Sequence, residues 1–219
     1  MPRLLFEKKG RAVWVSHLDL MRIFQRAFKR AGLPLTHTQG FNPRPSVSIA
    51  LPLSVGIESG CELLDFDLDG LDISFEEIKE RLNWALVEGV KVCQVYSNGR
   101  KIRDLSFLQC AIQLCYDAPV EADAIDSISA LFGREAIIVP KKTKSGIQDQ
   151  NIIPMIQQLQ VNQSDKHSLV IDCLICCQNP SLNPAQLVLA IEKYLPSYRP
   201  DYTKISRIEV YDTQKNIFR

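Results

Sequence analysis

Apolar residues at Leu20, Ile23, Phe24, Ala27, Phe28 and Ala31 recur at helical spacing, which predicts a helix over 16–31 with one buried face. Ser16 can cap it, with Asp19 three residues on as the reciprocal acid of a capping box. Gly32 and Pro34 stop it. Around this helix the pattern switches to short extended runs. Arg3–Lys8 alternates weakly, Ala12–Val15 is a second short extended run, and Val47–Leu53 is rich in β-branched and apolar residues. Leu64, Phe66 and Leu68 alternate with Asp65 and Asp67. Ser74 with Glu77 caps a second helix, whose core stripe is Ile78, Leu82, Ala85 and Leu86 and whose stop is Gly89. Val90–Tyr96 is a strand broken by Ser97-Asn98-Gly99, and 100–104 reads as a linker.

The second half repeats the order. The expected elements are a strand over 107–116, a helix over 120–132 and a strand over 136–141, then a polar stretch over 142–151. A Pro154-limited edge strand over 152–161 follows, then a strand over 169–176, a helix from Pro184 to Leu195 and a last strand over 205–211. Each half therefore reads β-α-β-β-α-β. The expected fold is α+β: two tandem ferredoxin-like subdomains with antiparallel sheets, over 1–103 and 104–219. The repeat is one of pattern, not of sequence.

Composition changes this picture little: 46% apolar and 23% charged residues among 219 describe a globular chain. Charge changes it more. The net +1 divides unevenly: residues 1–44 hold nine Lys/Arg against two acids, giving +7, and the rest is acidic. That asymmetry points to a positive face for an anionic partner. No run approaches the length of a membrane span, and seven cysteines without an export segment fit a reducing cytoplasm.

The candidate chemistry gathers in the same region. Arg22, Arg26 and Arg30 lie at successive i, i+4 positions on one helix flank. The loop after the helix carries Gln39, Phe41, Asn42 and Arg44, stiffened by Pro43 and Pro45, so it can display preset polar contacts. Lys8, Lys9 and Arg11 are candidates to extend the patch. Against these stands an ordinary solvated face. His17 beside the cap is a candidate general base, set against a packing or surface histidine. The acidic row Asp65, Asp67, Asp69 has the residue types for Mg²⁺, but a solvent-facing strand edge gives the same alternation. Cys173 and Cys176 form a C-x-x-C whose members face opposite sides of a strand. No metal site or cofactor is expected, and there is no phosphate-binding glycine loop or nucleophile elbow.

Ser16-His17-Leu18-Asp19-Leu20-Met21-Arg22, Arg30-Ala31-Gly32-Leu33-Pro34, Gln39-Gly40-Phe41-Asn42-Pro43-x-Pro45 and Leu51-Pro52-Leu53-x-x-Gly56-x-Glu58-Ser59 resemble the radical-SAM-linked family. This is a bacterial domain of unknown function found beside or fused to a radical-SAM enzyme. The resemblance is dense over residues 1–70 and thin afterwards. Where the family commonly has His between the two prolines, this chain has Arg44, which suits a phosphate contact better than a metal or acid–base role.

The resemblance implies a non-catalytic accessory of a radical-SAM enzyme, and an RNA partner such as tRNA or rRNA. Arg22, Arg26, Arg30, Gln39, Phe41, Asn42 and Arg44 would contact the RNA. Two alternatives stay open. One is a metal-independent RNA endonuclease with His17 as base, by architectural likeness to the RNA-binding proteins of CRISPR systems. The other is a protein-only adaptor that docks the enzyme.

Overall fold

The computed structural model describes residues 1–70, 72–97, 99–143 and 146–219. The expected break at Asn98 and part of the polar stretch, Lys144 and Ser145, lie outside the described residues. The fold is mixed α+β, with four α-helices and antiparallel strand pairs among the described residues. The chain divides into two compact units, Met1–Asp104 with Phe218–Arg219, and Leu105–Ile217. The expected second half, 104–219, thus cedes its last two residues to the first unit.

In the first unit the elements run β1 (Arg3–Lys8), α1 (His17–Arg30), β2 (Val47–Ile49), β3 (Ile57–Phe66), α2 (Phe75–Ala85) and β4 (Val90–Tyr96). The strand order is β4-β1-β3, with β2 also paired to β3. Leu4 and Phe6 of β1, Leu64 and Phe66 of β3, and Val90 and Val92 of β4 meet Leu20, Phe24 and Phe28 of α1 and Ile78 and Leu82 of α2 in one core. Phe6 packs edge-on to Phe24, 4.8 Å between centroids.

The second unit runs β5 (Leu105–Cys115), α3 (Ala124–Phe132), β6 (Ile138–Thr143), β7 (Gly146–Asn151), β8 (Ile156–Asp165), β9 (Ser168–Cys176), α4 (Ala185–Tyr194) and β10 (Tyr202–Asp212). Its strand order is β10-β5-β9-β8, all antiparallel, with β6–β7 as a separate hairpin. Even-numbered residues of β5 from Leu108 to Leu114 are buried and odd-numbered ones are half-exposed, so one face of this sheet carries the core and the other is open.

Several expectations give way here. Ala12–Val15 is not extended: Gly10–Trp14 forms a 3₁₀ turn. The strand expected over 47–53 stops at Ile49, because Leu51 sits at φ 50° and Pro52 follows. The strand signalled by the alternation at Leu64, Phe66 and Leu68 begins earlier, at Ile57, and ends at Phe66. The polar stretch after β6 holds the return strand β7, and Ile153–Met155 is a 3₁₀ turn that delays the edge strand to Ile156. Helix α3 starts at Ala124 instead of Val120, and Pro184 caps α4 instead of occupying its first turn.

Candidate nucleic-acid interface

Helix α1 and the segment after it are built from local chemistry. The Ser16 hydroxyl accepts the Asp19 N–H at 3.2 Å, and the hydroxyl itself donates to Asp19 Oδ2 at 2.7 Å. Asp19 thus closes on the cap side chain instead of the cap backbone. The Ser16 hydroxyl, and then the Arg22 guanidinium, hold the Asp19 carboxyl below its usual range. At the other end Gly32 takes φ 66° and Leu33 N–H bonds Phe28 O at 2.9 Å, a closing pattern that a residue without Cβ accommodates.

The chain then forms a stapled loop. Thr36 N–H bonds Asp67 O at 3.0 Å, Ser46 N–H bonds Thr36 O at 2.8 Å, and Asp67 N–H bonds Ser46 O at 3.1 Å. His37 bridges Pro45. Thr38 N–H bonds Arg44 O at 2.8 Å, and Arg44 N–H returns to Thr38 Oγ1 at 3.0 Å. Residues 39–43 are the tip, with Gly40 at φ 133°. Gln39, Phe41, Asn42 and Arg44 are all exposed, and Phe41 is fully so at 107%. The hydrogen bonds hold the base of this loop, at Thr36, Thr38, Arg44 and Ser46.

A groove of about 580 Å³ runs between α1 and this loop's base. Its floor includes Phe28, Leu33 and Leu35, and Gln25, Lys29 and His37 bring polar groups to it. None of Arg22, Arg26 and Arg30 lines it. The groove lies on the flank next to the arginines, where Gln25 and Lys29 stand at i, i+4 beside Phe28 and Gly32. That spacing was the available signal.

The arginines have separate fates. Arg22 pairs with Asp19 at 2.8 Å. Arg30 donates to Ala85 O at 2.5 Å, tying α1 to the end of α2, and lies by Trp84 and Arg81 in another depression. Arg26 is exposed and makes no hydrogen bond or ion pair among the described residues. Lys8 and Lys9 do not extend the patch: Lys8 is 1% exposed with its ammonium on Val13 O at 3.2 Å, and Lys9 pairs with Glu7 at 2.7 Å. His17 is half-buried at the first residue of α1, and no side-chain hydrogen bond orients its ring among the described residues. Of the acidic row, Asp65 is held by Arg3 (2.6 and 3.1 Å), and Asp67 accepts from Thr36 Oγ1 at 3.2 Å. Cys173 faces Cys110 in the core at 3.2 Å between sulfurs, whereas Cys176 meets the Gln157 amide at 3.9 Å.

A model of uncharacterized proteins conserved in bacteria, DUF2344, matches residues 2–184, and the chain belongs to that family. No curated protein matches. Solved structures with a similar course include a Cbf5-Nop10-Gar1 complex, at 6% identity and a TM-score of 0.52 over 95% of this chain and 48% of that one. An H/ACA RNP bound to a substrate RNA containing 2′-deoxyuridine follows at 5% identity and 0.49, over 94% and 46%. An archaeal box H/ACA sRNP Nop10-Cbf5 complex stands at 7% and 0.48, over 94% and 46%. The chain spans about half the length of these chains, and the first likeness is one of fold. No helix among the described residues is long and apolar enough to cross a membrane.

Proposed function

We propose that the first unit binds single-stranded RNA at the stapled loop and the adjoining groove, as the non-catalytic accessory of a radical-SAM enzyme. The carrying observation is Phe41: a fully exposed ring at the tip of a loop whose base is bonded at Thr38, Arg44, Thr36 and Ser46. Folding leaves that ring in water, while stacking on an unpaired base would cover it. Arg44 beside it and Lys29 on the groove supply phosphate contacts, with Arg26 on the neighbouring flank. Gln39, Asn42 and Gln25 offer amides to base edges. Arg30 belongs to the helix–helix contact and is left out of the interface. We read each unit as ferredoxin-like, since the β4-β1-β3 order with β2 on β3, and the β10-β5-β9-β8 order, both fit that arrangement. The radical-SAM partner rests on the sequence resemblance, and the cytoplasmic setting on the cysteine content.

Anisotropy with a labelled single-stranded RNA tests the interface. Phe41→Ala and Arg44→Ala should each weaken binding several-fold, and Arg30→Ala should act through stability. Equal affinity in Phe41→Ala and the parent would sink the reading.

A second reading, docking of the partner enzyme, is favoured by Trp14, at the end of the 3₁₀ turn, and Leu18, in the first turn of α1, which are 68% and 67% exposed. Co-purification from nuclease-treated lysate, lost in Trp14→Ala/Leu18→Ala, is its expected result.

A further inference from the structure

The open face of the second unit's sheet holds a depression of about 620 Å³, lined by Gln109, Gln158, Gln160, Asp172, Tyr211 and Lys215. The strand register sets these groups in rows. Gln158 stands opposite Leu174, which stands opposite Gln109, and Gln160 stands opposite Asp172 on the next row. Gln158 and Gln160 are two residues apart on one face, about 7 Å along the strand.

The amides are partly committed. Tyr211 Oη donates to Gln109 Oε1 at 2.8 Å, which fixes the phenol ring and leaves the Gln109 NH₂ as a donor. Gln160 Nε2 donates to Asn162 Oδ1 at 3.2 Å, which leaves its carbonyl as an acceptor. Lys215 sits at φ 62° in a turn closed on Asp212, whose Oδ1 accepts from Gln214 N at 2.8 Å and Asn216 N at 2.9 Å. A left-handed lysine costs of order 1 kcal/mol and persists only where its surroundings hold it. Neither Asp172 nor Lys215 makes an ion pair among the described residues.

We infer that this face binds a nucleotide unit, free or within an RNA strand, at a site separate from the loop of the first unit. Lys215 takes the phosphate, Asp172 accepts from the ribose hydroxyls, and the three glutamine amides pair with a base edge lying over Leu174. A nucleotide needs one cation, one hydroxyl acceptor, mixed amide groups and some apolar surface, and Lys215, Asp172, the glutamines and Leu174 offer these in turn. A peptide strand would add along the outer edge of β8, which ends the sheet, through backbone groups; the amides, Asp172 and Lys215 line a depression on the sheet's face instead.

Photocross-linking of the whole chain to a 4-thiouridine decamer, followed by peptide mapping, tests this in the Phe41→Ala background. Cross-links are expected within 156–160, 170–174 or 207–215, and their yield should fall at least about tenfold in Lys215→Ala and in Gln158→Ala/Gln160→Ala. Competition by UMP alone identifies a free nucleotide as the ligand; competition only by the unmodified decamer identifies the strand. Absence of cross-links from these peptides, yields unchanged in both variants, or competition by a decapeptide but not by nucleotides overturns the inference. Cross-links here with none on residues 38–44 of the parent chain would overturn the loop reading alone.

Discussion

Arg3 shows how far a charged residue can be taken into the fold. It is 4% exposed, its Nε and Nη2 grip the two Asp65 oxygens, and its guanidinium lies 5.6 Å from the centre of the Phe218 ring. Removing it leaves a carboxylate in a mostly closed site. Arg3→Ala should therefore cost about 3 kcal/mol in urea unfolding, and Arg3→Lys nearly as much, because lysine cannot make the paired contact. Phe41 is the opposite case. Phe41→Ala should change stability by less than about 0.5 kcal/mol, whereas RNA affinity should drop by about 1–3 kcal/mol. Of seven free cysteines, Cys93 is the exposed one. Partial burial, and then the Glu7 carboxylate, push its thiol up, so its labelling by a maleimide should accelerate only above the usual thiol range.

Among the elements, α1 depends most on its ends. Ser16→Ala should cost about 1 kcal/mol, seen as a lower urea midpoint. Asp19 adds a pH dependence. Its folded carboxyl ionises below the ordinary 3.8, so its contribution is present above that value and is lost as pH falls through the lower one. The stability gap between the parent and Asp19→Asn should accordingly close as pH falls below about 3.8. Gly89 joins α2 to β4 at φ 84°, where an added Cβ would meet Lys9 O and, at 2.9 Å, Ala12 Cβ. Gly89→Ala should destabilise by more than about 2 kcal/mol.

Helices α1 and α2 were legible because their caps, stripes and stops are all local signals. The 3₁₀ turn at Gly10–Trp14 and the return strand β7 were not, since apolar residues occupy most of the first and polar residues most of the second, against their conformations. Lys8 could have been placed from period alone, because Leu4, Phe6 and Lys8 share one face of β1 and that face is buried. The loop at 38–44 was readable as stiff from its prolines. Its neighbouring groove was not, because the pairing of 34–37 with 45–46 and 67–69 joins segments distant in sequence.

For the whole molecule, the +7 of the first forty-four residues is a poor guide to the surface. Arg3, Lys9 and Arg22 are ion-paired, Lys8 is buried, and Arg30 is bonded to the Ala85 carbonyl. Arg11, Arg26, Lys29 and Arg44 are exposed without an ion pair among the described residues. Three phosphate contacts predict a log–log salt slope near about −2 for single-stranded RNA, against about −6 if all nine cations were engaged. A steep slope would show that the internal pairs open on binding.

Phe218 is wholly buried between the guanidinium groups of Arg3 and Arg100, and Arg219 O accepts the Arg100 N–H at 2.9 Å. The last residues of the chain thereby close on the strand that begins it. Cutting the chain after residue 217 should therefore strip Arg3 of its aromatic cover and loosen the unit built on β1, and Phe218→Ala should reproduce much of that loss.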